Sequence, residues 1–227
     1  MTITVLIADD QTLVRTGLRA IIESEPGMTV VGEAADGATA VEAARRLRPD
    51  VVLMDIRMPG LDGVAATRAL VGGRAAPTTT RVLILTTFHA DEYVAEALRA
   101  GASGYLLKDA TADQMVEAIR VIAAGEAMLA PAVTKRLLER MSSGPSDVDG
   151  AELRARLSAR ETDVLLQVAR GLSNAEIAAA LHLAETTVKT HVQNILAKLG
   201  VRDRLQAAVA AYDAGLARPR GRNTDAG

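Results

Sequence analysis

ITVLIADD, residues 3–10, is an apolar, β-branched run that stops on two aspartates. The pattern returns at MTVVGEA (28–34), VVLMD (51–55), RVLILT (81–86) and SGYLL (103–107), and each run is followed by a stretch with helical spacing of apolar residues. Strands this continuously apolar belong to a parallel sheet buried on both faces, because right-handed crossovers lay helices on each side of it. The reading is an α/β fold: a five-stranded doubly wound parallel sheet in the order 2-1-3-4-5. Local punctuation agrees. Thr111 with Gln114 writes a capping box, while Asp36-Gly37 and Pro59-Gly60 mark turns.

In such sheets ligands bind beyond the carboxyl ends of the strands, where the strand order reverses. Asp9 and Asp10 follow the first strand and Asp55 ends the third, so neighbouring strands bring three carboxylates into one crevice. That much negative charge repels itself unless a hard, oxygen-preferring cation sits within it, and Mg2+ suits such a site. Thr86 and Thr87 stand at the end of the fourth strand, and Lys108 beyond the fifth brings an ammonium to the same crevice. Three carboxylates balanced by Mg2+ and an ammonium leave room for an oxyanion. That is the layout of a phosphoryl-transfer site with Asp55 as nucleophile. Taken singly, each residue has a plainer explanation: Asp9 or Asp10 capping a helix that begins near Gln11, Asp55 as a turn acid, Lys108-Asp109 as a surface pair. Four strand ends carrying the chemistry of one site are not explained that way.

Composition narrows the classes further. The 227 residues are 49% hydrophobic and 24% charged, which excludes disorder of the whole chain, and the length favours two small domains. There is no cysteine, so disulfides, thiolate nucleophiles and Cys-ligated metals are excluded, and three histidines make a His-rich metal site a poor fit. No apolar run approaches the roughly 18 residues of a membrane helix, and MTITVLIADD lacks a basic leader, so a cytoplasmic chain with no membrane partner is expected. The net charge of −2 hides an asymmetry: 15 basic against 20 acidic residues through Asp149, then 11 against 8. A basic rear half fits contact with a polyanion.

The segments IADDQTLVRTGL, VVLMDIRMPGLDG, LTTF and GASGYLLKD together resemble the CheY-like receiver domain of two-component response regulators, over residues 1–125. The resemblance implies that Asp55 accepts phosphate from a sensor histidine kinase, and that Asp9, Asp10 and Asp55 with the backbone carbonyl of Arg57 hold Mg2+. It also implies that Lys108 contacts the phosphoryl oxygens. Thr86 is the expected switch hydroxyl, because it stands 22 positions before Lys108 and strand alternation aims only one of Thr86 and Thr87 inward. Tyr105 matches the switch aromatic, although a half-buried strand Tyr with its hydroxyl in water reads the same way. A haloacid-dehalogenase-type phosphatase wants a second acid two residues after its nucleophile; here that position is Arg57.

Residues 126–156 read as a linker, with APAVTKRLLERM (130–141) helical and SSGPSDVDG (142–150) flexible. From 151 onward the pattern is all helix. Ser158 with Glu161 and Ser173 with Glu176 write capping boxes for helices near 159–170 and 174–181, and Gly171 ends the first. Over 185–199, Val188, Val192, Ile195 and Leu199 form a buried stripe opposite Thr186, Lys189, Thr190, Gln193 and Asn194. That polar face suits a DNA major groove; alone, it also suits the solvated side of a small bundle.

Residues 157–216 resemble the LuxR/NarL type of helix-turn-helix domain, carried by ARGLSNAEIA and TVKTHV, with a basic tail at 217–227. The resemblance implies that Lys189, Thr190 and Gln193 enter the groove of double-stranded DNA, with Thr187 and Lys198 near phosphates. It further implies that the helix at 204–215 serves a homodimer formed on phosphorylation or DNA binding. Ala184 departs from the family's usual Ser or Thr and forfeits a helix cap. The expected function is a phosphorylation-dependent, DNA-binding transcriptional regulator. It is not an enzyme with a separate substrate, but a phosphoacceptor that supports its own Mg-dependent phosphorylation and dephosphorylation.

Overall fold

The computed structural model describes residues 2–71, 80–86, 91–125 and 150–217, with only the backbone at 91–94. The sequence readings at Thr87, the helix at 130–141, the linker at 142–149 and the tail from 218 lie outside these residues. The chain divides into two compact units, Met1–Leu129 and Ala130–Gly227.

In the first unit β1 (Ile3–Ala8), β2 (Met28–Ala34), β3 (Val51–Asp55), β4 (Arg81–Thr86) and β5 (Gly104–Leu107) form one sheet in the order β2-β1-β3-β4-β5. Every pairing is parallel. The helices between and after them are α1 (Thr12–Glu23), α2 (Gly37–Leu47), α3 (Gly63–Val71), α4 (Asp91–Ala100) and α5 (Ala112–Ala123). Strand alternation splits the core into two layers. Val5, Ile7, Val51, Leu53, Leu83 and Leu85 pack with Leu18 and Ile22 of α1 and Met115, Ile119 and Ile122 of α5. The intervening Leu6, Val52, Met54, Val82 and Ile84 are fully buried beneath the other face, which α2 and α3 cover. Each of these side chains contributes roughly 1.5–3 kcal/mol by leaving water.

Helix starts follow the local code with one refinement. Thr111 and Gln114 form the expected capping box of α5. Asp36, read as a turn marker, is the N-cap of α2, accepting the Thr39 N–H at 2.8 Å. Gly63 opens α3 where a Cβ would lie 2.0 Å from the Asp55 carbonyl oxygen, so only glycine lets α3 close against the end of β3. Gly60, at φ +73°, turns the loop between them.

The second unit contains α6 (Gly150–Ala155), α7 (Ala159–Ala169), α8 (Asn174–Leu181), α9 (Glu185–Leu199) and α10 (Arg204–Asp213). Within the span read as linker, 150–155 are helical and Leu153 is buried, and Gly150 lies so close to the Ala214 carbonyl that a Cβ there would clash with it. Both expected capping boxes, Ser158–Glu161 and Ser173–Glu176, are present. α10 packs on α7 and buries six of its ten residues, among them Leu205, Val209 and Tyr212.

Candidate functional site

β1 and β3 are adjacent, so the loop after β1 and the end of β3 open onto one crevice. There Asp9, Asp10 and Asp55 each bring a carboxylate oxygen within 4.8 Å of the others. Asp9 is fully buried and Asp55 is 5% exposed, while Asp10 is exposed. Lys108, just past β5, places Nζ 2.5 Å from Asp9 Oδ2 and 3.2 Å from Asp55 Oδ1. Burial pushes the Asp55 carboxyl above its ordinary value; the Lys108 ammonium opposes this and the Asp9 carboxylate adds to it. Asp9 Oδ2 is buried and, apart from its ion pair with Lys108, accepts no hydrogen bond. Three converging carboxylates, one with a buried oxygen met only by the Lys108 ammonium, are a donor set that would suit a hard divalent cation.

The other predicted residues surround this cluster. Thr86 ends β4, 7% exposed, and its carbonyl accepts the Lys108 N–H at 2.8 Å. Tyr105 lies half-buried on the edge strand β5, paired in register with Ile84. Arg57 is exposed in the loop after β3 and lines, with Asp10, Met58, Pro59, Asp62 and Glu96, a cavity of about 480 Å3.

In the second unit α8 and α9 meet at a tight turn. His182 closes α8 in the left-handed conformation at φ 53°, and the Leu183 N–H returns to the Ala178 carbonyl. The N-cap of α9 is Ala184, and it makes no side-chain cap. Val188 and Ile195 anchor α9 in the core, while Thr186, Thr187, Lys189, Thr190, Gln193 and Asn194 are all exposed. The polar face is thus presented as its periodicity predicts, whereas Val192 and Leu199 of the expected buried stripe are only half-buried.

Residues 5–120 match the family of response regulator receiver domains, and residues 155–211 match the bacterial regulatory proteins of the luxR family. The chain is a response regulator of the LuxR family. The Bacillus subtilis transcriptional regulatory protein YxjL is 42% identical over 94% of this chain and 97% of its own length. The Staphylococcus aureus response regulator protein VraR is 41% identical over 93% and 97%. Among solved structures, the response regulator ChrA of a heme-sensing two-component system is 41% identical and covers 95% of this chain and 98% of its own, at a TM-score of 0.50. The function of this response regulator is phosphorylation-dependent, DNA-binding regulation of transcription, and its domains imply a histidine kinase and DNA as partners. It is not a classical enzyme. No helix among its described residues is long and apolar enough to cross a membrane.

Two features of the response regulator escaped the sequence. Lys198 Nζ bonds both carboxylate oxygens of Glu161, at 2.8 and 2.6 Å, so this cation already has a buried partner. The Lys198 ammonium, with the Ser158 N–H, pulls the Glu161 carboxyl down to about 2. The Arg156 guanidinium also bonds the Lys198 carbonyl, tying the end of α9 to the start of α7. In the receiver, Arg15 donates to the Asp9 main-chain carbonyl at 2.8 Å. Arg15 is the fourth residue of α1, and no local sequence pattern marks its bond to that carbonyl.

Proposed function

We propose that Asp55 is the phosphoacceptor and that phosphorylation there governs DNA binding by α9. The observation that carries this is the meeting of Asp9, Asp10, Asp55 and Lys108 in one crevice. Asp9, Asp10 and Asp55, with the Arg57 carbonyl, are the groups that would hold Mg2+. When bound, the ion neutralises the carboxylates and draws charge from the phosphoryl oxygens. An Asp55 carboxylate oxygen attacks the phosphorus in line, a new O–P bond forms, and the bond to the donor breaks with its electron pair leaving on the donor. With a phosphohistidine of a sensor kinase the broken bond is P–N. Lys108 and the Thr86 hydroxyl hold phosphoryl oxygens, and attack by water at the same phosphorus breaks the P–O bond to Asp55, releasing inorganic phosphate and returning the free carboxylate. The inward draw on Thr86 is passed to Tyr105 and so to the surface of the sheet edge.

The reading carries over to the second unit. Lys189, Thr190 and Gln193 address base edges in the major groove, and Thr187 a phosphate. Lys198 contributes only as a cation shared with Glu161. Two copies bind DNA together, in the cytoplasm, with 1–125 as receiver, 126–156 as linker, 157–216 as DNA-binding domain and 217–227 as tail. Intact-mass spectrometry after exposure to acetyl phosphate and Mg2+ tests the first step. The wild-type chain gains one phosphoryl group and the Asp55→Ala chain gains none; uptake by Asp55→Ala overturns the assignment.

A further inference from the structure

Asp9 is held on every side. Its N–H donates to the Ala34 carbonyl at 3.1 Å, its Oδ1 accepts the Gln11 N–H at 2.9 Å, and its Oδ2 faces Lys108. Its carbonyl lies past the last register pair of β1 with β2, Ala8 with Ala34, and so has no place in the ladder. Arg15 fills that need from α1. Its Nη1 donates to the Asp9 carbonyl at 2.8 Å, its Nε to Glu33 Oε2 at 3.1 Å and its Nη2 to Thr12 Oγ1 at 3.1 Å. Glu33 is in turn braced by Arg19, whose Nε reaches Oε1 at 2.7 Å. A planar guanidinium with three acceptors in three directions has little freedom left, and the Arg15 side chain is only 14% exposed.

We infer that Arg15, braced by Glu33, is a positioning residue that fixes the Asp9–Asp10 corner so that Asp9 Oδ2 and the Asp10 carboxylate face the crevice in a metal-binding arrangement. The inference rests on the reading of that crevice as a Mg2+-dependent phosphoacceptor site. Arg15 touches neither the ion nor the phosphoryl group. It acts on the geometry of two ligands through a main-chain atom, and the cost of losing it therefore falls on metal affinity. Lysine cannot replace it, because one ammonium on a flexible stem does not span the Asp9 carbonyl, Glu33 and Thr12 together.

Calorimetric titration of the full chain with Mg2+, with no phosphoryl donor present, tests this on wild type, Arg15→Ala, Arg15→Lys and Glu33→Ala, each with its thermal melt. Removing a group that orients a metal ligand raises the dissociation constant about 10-fold or more. Arg15→Ala should show that loss, with Arg15→Lys and Glu33→Ala between it and wild type. Phosphorylation by acetyl phosphate should then slow at limiting Mg2+ and recover at saturating Mg2+, a split that a general loss of structure does not produce. A folded Arg15→Ala chain that binds Mg2+ as tightly as wild type overturns the inference. If Arg15→Ala does not fold, Glu33→Ala decides, and unchanged affinity there overturns it equally. A wild-type chain that takes up no Mg2+ overturns the reading of the crevice, and this inference with it.

Discussion

Asp55 is a carboxylate 5% exposed to solvent, with the fully buried Asp9 on one side and the Lys108 ammonium serving both. Without a divalent ion that arrangement costs stability, because burial and the like charge both disfavour the ionised form. The fold raises the Asp55 pKa. The stability tied to it is therefore greatest near or below the ordinary value of 3.8 and declines as pH rises through the folded value. Asp55→Asn removes the charge and keeps the shape. In Mg2+-free buffer near neutral pH it should melt above wild type, and the gap should narrow toward pH 4 and on adding Mg2+. A variant that melts clearly below wild type in Mg2+-free buffer contradicts this. The four charged groups of the crevice were legible in the sequence because each stands at the end of an apolar strand, where the chain order alone gives its address. Arg15 and Glu33 were not, since a long side chain chooses its partners in three dimensions and leaves no periodic trace.

At the scale of elements, Glu161 and Lys198 do for the DNA-binding domain what a strand register does for a sheet. Glu161 closes the capping box of α7 with Ser158 and also holds the last turn of α9. Its carboxyl is pulled from 4.5 to about 2, so the stability it lends is complete above about pH 4.5 and is lost as pH falls toward 2. Lys198→Ala should destabilise the domain by about 1–2 kcal/mol, discounted because Lys198 is half-exposed. It should also move the acid unfolding midpoint, followed by circular dichroism, to higher pH; an unchanged midpoint contradicts the pair. Lys189 stands apart from this, exposed on the outer face of α9. Lys189→Ala should weaken DNA binding while leaving phosphorylation of Asp55 intact. If its partner is a phosphate, the slope of log K against log salt falls by about 1; if its partner is a base edge, sequence preference relaxes instead. Helix starts and the exposed polar face of α9 were legible because capping boxes and helical spacing are local, while Val192 and Leu199 of the expected stripe are only half-buried. The fifth strand begins one residue later than its run suggests, at Gly104, although the Ser103 N–H already bonds the Val82 carbonyl. The Glu161–Lys198 tie spans 37 positions, and no local pattern announces it.

Across the whole molecule, an acidic first half carries the crevice of Asp9, Asp10, Asp55 and Lys108, and a basic second half carries α9 with its exposed polar face. Coupling between them is a free energy. A phosphoryl group on Asp55 shifts DNA affinity only by the extra stabilisation it gives the binding-competent state, typically about 1–3 kcal/mol or 5- to 150-fold. The measurement that tests this most directly is selection of bound sequences from random DNA by the purified full chain in Mg2+, with and without acetyl phosphate, with mass spectrometry reporting the phosphoryl group in each pool. A two-fold-symmetric site is expected, recovered several-fold better by the phosphorylated chain, with that gain abolished in Asp55→Ala. Equal recovery by the phosphorylated and unphosphorylated chains would contradict it.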